Sequence, residues 1–240
     1  MDKDKLEHHD WLSVDYVRAW YNWKMETGVD SDALKELLNL LQALLSNKEN
    51  PRILDLGCGP GRFSKMILDA MPGATVLGVD YSPACGQVVW EVIGEKNRAR
   101  FEFFEGTLNE PQWVRDLGVF DAAVSSLVIH DLKAESHKPL FEAVMSVLTD
   151  GGVFLNFDHV GYESPGYTQQ LENLQQKYTE NMPPIMKAAF AGCGIKIGRD
   201  MKRPLSQLCE LMRQVGFESV EVFYRWLSKA IYGGYKIFPS

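Results

Sequence analysis

The sequence predicts an α/β fold: a three-layer sandwich around a seven-stranded, mostly parallel sheet that finishes in a C-terminal antiparallel hairpin. Three observations carry that prediction. The stretch "RILDLGCGPGRFSKMILDAMPGATVLGVD", Arg52 to Asp80, reads as an apolar strand, a glycine turn, a helix and a second apolar strand ending on a carboxylate. Further apolar strands alternate with amphipathic helices as far as His159, the pattern of a parallel sheet joined by crossover helices. Last, "ESVEVFYRWLS" and "AIYGGYKIF" are two strands separated by only a few residues, a spacing that makes them antiparallel neighbours.

In the first unit Ile53, Leu54 and Leu56 make a short buried strand, and Gly57, Gly59 and Gly61 follow at every second residue. Glycines at that spacing let the backbone bend sharply and approach a ligand with no Cβ in the way, and the first turn of the following helix offers unpaired N–H groups. This is a nucleotide-type pocket. The second strand delivers Asp80 to the carboxyl edge of the sheet, where an acidic side chain can take both hydroxyls of a ribose. The dinucleotide fingerprint G-x-G-x-x-G fails at its third glycine, where Arg62 stands, which argues against a nicotinamide dehydrogenase.

What stands instead, "DLGCGPG" followed by "GVDYS", resembles motifs I and II of class I S-adenosylmethionine-dependent methyltransferases, which have a Rossmann-like fold. The resemblance implies that Asp55, Gly57, Gly59 and Gly61 face the methionine part of the cofactor and that Asp80, with Tyr81 beside it, holds the ribose. It extends over most of the chain, since "WLSVDYVRAW", "SSLVIHDL" and "GGYK" are similar to a bacterial group of small methyltransferases. It also implies that Ser125 and Ser126 approach the methionine amino group and that the following loop lies beside the transferable methyl. Many relatives carry an aspartate after the glycine that ends the third strand; here Thr107 occupies it, so Thr107 and Leu108 are the residues assigned to adenine, with Asn109 as a further polar group.

With 240 residues, 45% of them hydrophobic, the chain suits one substantial core, and we expect a single domain over 1–240. Within it, 1–30 reads as an N-terminal lid, 48–160 as the cofactor-binding core, 161–203 as a helical substrate roof and 204–240 as a helix and hairpin. The most apolar helix, Ala33 to Leu45, is interrupted by Lys35, Glu36, Asn39 and Gln42, and no signal peptide is evident, so the expectation is a cytoplasmic protein without a membrane span. Cys58, Cys85, Cys193 and Cys209 are far apart and form no CxxC pair or Cys/His cluster; they read as reduced thiols, and no metal is expected. His8-His9-Asp10, on the charged opening segment, is too small for a complete metal site. A formal net charge of −7 disfavours a large phosphate-binding surface and favours a small-molecule partner over nucleic acid.

Taken in order, "WLSVDYVRAWYNWKM" packs Trp11, Tyr16, Trp20, Tyr21 and Trp23 into one helical span capped by Ser13. Aromatics at this density make either a packing face or, as the resemblance implies, a lid, and Trp11, Tyr16 and Trp20 are the substrate-side candidates. Asp30 or Ser31 caps the next helix, whose leucines recur at three- and four-residue steps; "NKENP" ends it. Ser82 and Pro83 open a helix to about Glu95, Arg100 to Glu105 is a third strand, and "NEPQWVRDLGVFD" is a loop, short helix and loop. "FDAAVSSLVIHDL" is the fourth strand with its loop, and Ser136 to Leu148 a helix closed by "TDGG". The fifth strand ends near Asp158 and His159. From Gly161 to about Arg203 the βα pattern lapses, "SPGYTQQLENLQQKYTEN" being helical; Tyr167, Met182 and Met186 are candidate pocket walls, and "NMPPI" is a decoy for an amino-methylation motif. Leu205 to Val215 is a helix stopped by Gly216 before the final hairpin.

His130 follows the fourth strand at the carboxyl edge, and an imidazole there suits proton removal from an acceptor. It is the preferred general base; a loop-bonding or helix-capping role is the structural alternative. His159, with Asp158 as its partner, is second. The functional expectation is methyl transfer from S-adenosylmethionine to a small-molecule O, N or S nucleophile. Two rivals stand beside it: a tRNA or protein methyltransferase, and a non-catalytic cofactor-binding regulatory module. The oligomeric state is not legible.

Overall fold

The computed structural model describes residues 10–163, 165–176, 184 and 203–237. Seven strands form one sheet: β1 (Arg52–Leu56), β2 (Thr75–Asp80), β3 (Phe101–Glu105), β4 (Phe120–Ser126), β5 (Leu148–His159), β6 (Glu218–Trp226) and β7 (Lys229–Tyr235). Their order is β3-β2-β1-β4-β5-β7-β6, with β1 to β5 parallel and β7 antiparallel to both β5 and β6. The strand order reverses between β1 and β4, and a crevice at such a reversal, outside the carboxyl ends of the strands, is where open α/β sheets place their ligands.

Alternation along the strands sorts side chains onto two faces. Ile53, Val76, Ala122, Val124, Leu155 and Phe157 point one way into a core shared with α2 (Ser31–Leu44), α3 (Arg62–Ala70) and α4 (Pro83–Ile93). Leu54, Leu77, Ala123 and Phe154 point the other way, onto α5 (His137–Val147) and α7 (Leu205–Val215). Leu37 and Leu41 of α2 are fully buried, so truncating either to alanine should cost about 2–5 kcal/mol. Helix α1 (Val14–Thr27) lies outside this sandwich, its Val17 packed on Ala84, Cys85 and Val88 of α4, and the Ser82 hydroxyl donates to the Trp11 carbonyl. Helix α6 (Pro165–Gln176) follows β5.

The caps follow the residue chemistry with one exception. Ser13 and Ser82 accept from the N–H groups of Tyr16 and Cys85, and Gly216 ends α7 in the left-handed region. Asp30 precedes α2 but its side chain caps nothing: it is in the left-handed region at φ 66° and gives both oxygens to Lys24 and Lys229. Two ammoniums in a poorly solvated place outcompete a helix N–H for the same carboxylate. Strand β5 also begins earlier than expected: "TDGG" is not a helix stop but lies inside the strand, where Leu148 pairs with Phe120.

Candidate active site

The glycine turn leaves β1 with Gly57, Gly59 and Gly61 at φ of 68°, 54° and 85°, a region that glycine enters without strain. The three are not equivalent. A Cβ on Gly57 would lie 2.5 Å from a methyl of Val128, and one on Gly61 would lie 2.7 Å from a methyl of Val89 in α4; one on Gly59 would meet nothing within 4 Å. The open face of the turn is therefore at Gly59. Gly57 is small because the loop after β4 leans on it, a correction to the expectation that a side chain there would enter ligand space. Gly61 supplies the close helix packing that the dinucleotide motif assigns to its third glycine, and Arg62 turns away, its guanidinium donating to the Val29 carbonyl at 3.0 Å and Ser31 Oγ at 2.8 Å.

Asp80 braces the turn from β2. Its Oδ2 accepts from the Gly59 N–H and its Oδ1 from the Ser82 N–H, both at 2.9 Å. Burial raises its pKa to about 6 against those N–H bonds. Asp55, beneath the turn, is fully buried; Ser64 Oγ of α3 donates to its Oδ2 at 2.5 Å, while Oδ1 has no hydrogen-bond partner. Burial lifts its pKa to about 7. An acceptor-rich pocket with an orphaned carboxylate oxygen, a turn open at Gly59 and a carboxylate at the end of β2 fits a ligand that carries a ribose diol and an ammonium. Asp80 would hold the diol, the Gly59 face would take the aminoacyl end, and Asp55 would supply negative charge below it. Tyr81, half-buried, follows Asp80.

At the β3 side Thr107 Oγ1 accepts from the Asn109 N–H at 3.3 Å, and Leu108 is buried in the core. Trp113, in a short 3₁₀ turn, stacks on Phe104 at 5.1 Å and donates its indole N–H to the Thr107 carbonyl. At the end of β4 the hydroxyl of fully buried Ser125 donates to the Leu56 carbonyl at 3.0 Å, so it ties β4 to β1; Ser126 is half-buried at the edge.

His130 lies in a 3₁₀ turn, Ile129–Asp131, just past β4. Its Nδ1 is 2.5 Å from Asp158 Oδ1, and its own N–H donates to Asp158 Oδ2 at 2.9 Å. Asp158, 1% exposed at the end of β5, also accepts from the His159 N–H at 2.8 Å. A carboxylate oxygen facing the ring accepts, so Nδ1 donates to Asp158, and Nε2 can serve as a base only once it is clear of Asp131. Asp131 Oδ1 is 3.2 Å from that nitrogen. The expected pairing is thereby corrected: Asp158 serves the ring of His130, whereas His159 Nδ1 lies 3.3 Å from Ser228 Oγ. The two imidazoles touch edge to face, 4.9 Å between centroids. Sequence order hid this, but the parallel register of Ser126 with Phe157 puts the loop after β4 beside Asp158, and aligning the two strand ends is the signal that reveals it.

The aromatics of α1 and of the turn before it pack on one another. Trp11 meets Tyr16 at 5.4 Å and Trp20 at 5.3 Å; Tyr16 is buried, the two tryptophans half-buried. Tyr167 on α6 is 68% exposed, which removes it from any pocket wall in this conformation. Met182, Met186 and the rest of the "NMPPI" stretch apart from Pro184 fall outside the described residues, as do His8, His9 and Cys193. Cys58, Cys85 and Cys209 are buried free thiols, and the described residues hold no cluster able to bind a metal ion. No described helix is long and apolar enough to cross a membrane.

Comparison with known proteins agrees with this geometry. Residues 53–152 match the model of a methyltransferase domain. A malonyl-[acyl-carrier protein] O-methyltransferase of Acetivibrio thermocellus is 26% identical over 199 residues, covering 78% of this chain and 63% of that protein. A carboxy-S-adenosyl-L-methionine synthase of Campylobacter hominis is 23% identical over 193 residues, covering 78% of each. Human N-acetylserotonin methyltransferase, solved in complex with S-adenosylmethionine, superposes with a TM-score of 0.65 at 15% identity, covering 99% of this chain and 61% of that one. The chain thus spans about three fifths of two of these proteins. Glycine turn, acid at the end of the second strand, strand order and terminal hairpin fit one design, and together with the match over 53–152 they support a class I S-adenosylmethionine-dependent methyltransferase.

Proposed function

We propose that the protein transfers a methyl group from S-adenosylmethionine to a small-molecule O, N or S nucleophile. The observation that carries the reading is an imidazole held through Nδ1 by a buried carboxylate at the same sheet edge as the glycine turn. S-adenosylmethionine, when bound, supplies an electrophilic methyl on a sulfonium. The chain's part is to align acceptor and cofactor and to receive the acceptor's proton. Asp80 and the Gly59 face bind the cofactor; Thr107, Leu108, Ser126 and Tyr81 border it. His130 Nε2 takes the proton, and Asp158 fixes the tautomer and stabilises the imidazolium that results. Asp131, half-exposed beside Nε2, must swing aside for an acceptor to reach that nitrogen.

Trp11, Tyr16 and Trp20 belong to a lid that keeps water from the acceptor side of the 48–160 core. A small acceptor in the cytoplasm fits the acidic charge and the buried thiols, and such acceptors are named for relatives, including a trans-aconitate 2-methyltransferase of Deinococcus radiodurans. The test is His130→Ala on a verified acceptor: cofactor affinity should hold while turnover drops by about 10² to 10⁴, the usual worth of a positioned base. Unchanged turnover would leave proximity alone as the catalyst and return His130 to a structural role.

A further inference from the structure

Beside the histidines lies a group of side chains that is rich in donors and short of acceptors. Lys24, in the last turn of α1, and Lys229, the first residue of β7, both place their ammonium on Asp30, one on each carboxylate oxygen. Their side chains are 8% and 17% exposed, that of Asp30 2%. Arg62, also buried, acts on the same carboxylate and on Lys24. Two ammoniums thus share one carboxylate, with the Arg62 guanidinium near enough to feel it while bonded to Val29 and Ser31, and each ammonium has three N–H groups of which Asp30 takes one.

A second observation points the same way. Trp23 is 6% exposed and its indole N–H has no acceptor among the described residues, while the Lys24 ammonium lies 5.2 Å from the centroid of its ring and 5.3 Å from that of Trp20. Burial pushes the Lys24 pKa down in spite of Asp30, with Lys229 and Arg62 adding to the push; on Asp30 burial pulls upward, and the two lysines overcome it. Buried surplus charge of this kind is costly unless an anion completes it. The location is suited to a ligand: Lys229 pairs across the sheet with His159, whose ring touches that of His130.

Resting on the methyltransferase reading above, we propose that Lys24, Lys229 and Arg62, with the Trp23 indole, form a carboxylate-binding site at the edge of the acceptor pocket. The carboxylate comes either from the amino-acid end of the cofactor or from the acceptor itself, which would then be a carboxylic acid.

Calorimetry on the full chain distinguishes these sources, with S-adenosylhomocysteine, 5′-methylthioadenosine (which lacks the amino-acid end) and malonate or benzoate added to the S-adenosylhomocysteine complex. If the cofactor supplies the carboxylate, Lys229→Gln weakens S-adenosylhomocysteine by about 30-fold, the loss expected when one partner of a buried charge pair goes, and leaves 5′-methylthioadenosine unchanged. If the acceptor supplies it, S-adenosylhomocysteine is unaffected, and malonate or benzoate binds the wild-type complex but not the Lys229→Gln complex. Should Lys229→Gln lose 5′-methylthioadenosine as well, Asp30→Asn decides: removing the one internal counter-charge tightens carboxylate binding if the site is real and weakens or spares it if the cluster only braces the fold. Equal binding of all probes by wild type and Lys229→Gln overturns this inference alone. Failure of wild type to bind S-adenosylhomocysteine overturns the function on which it rests.

Discussion

Asp80→Asn isolates the cofactor end of the site. The carboxylate is 6% exposed and already accepts backbone N–H groups of Gly59, Ser82 and Tyr81. The two hydroxyls of a ribose would share the remaining acceptor capacity of this carboxylate with those N–H groups. Asparagine preserves the shape but turns one acceptor into a donor, which then faces one of those N–H groups. A hydrogen bond to a charged group is worth about 1.5–3 kcal/mol, so losing the diol contacts costs about 3–6 kcal/mol, or roughly 10² to 10⁴ in Kd. Calorimetry with S-adenosylhomocysteine measures this directly. Repeating it with the 2′-deoxy analogue closes a double-mutant cycle, in which the 2′-hydroxyl should lose its worth once Asp80 is gone. Because burial sets the Asp80 pKa at about 6, wild-type affinity should also fall as pH drops through 6, a limb that Asp80→Asn lacks. Affinity within about threefold of wild type, or additive losses in the cycle, would refute the assignment of Asp80 to the ribose.

The glycines separate packing from binding. Gly57→Ala meets Val128 and a positive φ and should cost about 1–3 kcal/mol of stability, whereas Gly59→Ala should cost about 1 kcal/mol yet lose most of the cofactor affinity; denaturant melts and calorimetry on both variants check this. The two buried acids make stability pH-dependent. Their folded pKa values, about 7 for Asp55 and about 6 for Asp80, exceed the unfolded value of 3.8, so the folded chain binds more protons across that interval. Their contribution is full below about pH 4 and is lost as pH rises through 6 and 7, at about 1.4 kcal/mol for each tenfold difference in proton affinity between the folded and unfolded chain. Urea denaturation at pH 5 and 8 should show wild type losing stability with rising pH and Asp55→Asn losing distinctly less; equal slopes would contradict the burial argument.

The periodic parts of the fold were legible because each rests on local chemistry. Alternating Ile53, Leu54 and Leu56 with the three glycines is enough to place β1 and its turn, and the short link between β6 and β7 is enough to make them antiparallel. What escaped depends on contacts between distant residues. Asp30 looks like a helix cap until Lys229, 199 positions away, is seen to claim it. Asp158 adjoins His159 in sequence, yet strand register hands its carboxylate to His130. Gly57 and Gly59 read alike, and only the position of Val128 tells a packing glycine from a binding one.

Methyl transfer to a small acceptor is read by incubating the protein with methyl-labelled S-adenosylmethionine and a small-metabolite extract, then following the label by mass spectrometry. The label should appear in a low-molecular-weight product with wild type, and only weakly with His130→Ala. Label found solely in RNA or protein, or tight cofactor binding with no label transferred to any acceptor, would contradict methyl transfer to a small acceptor.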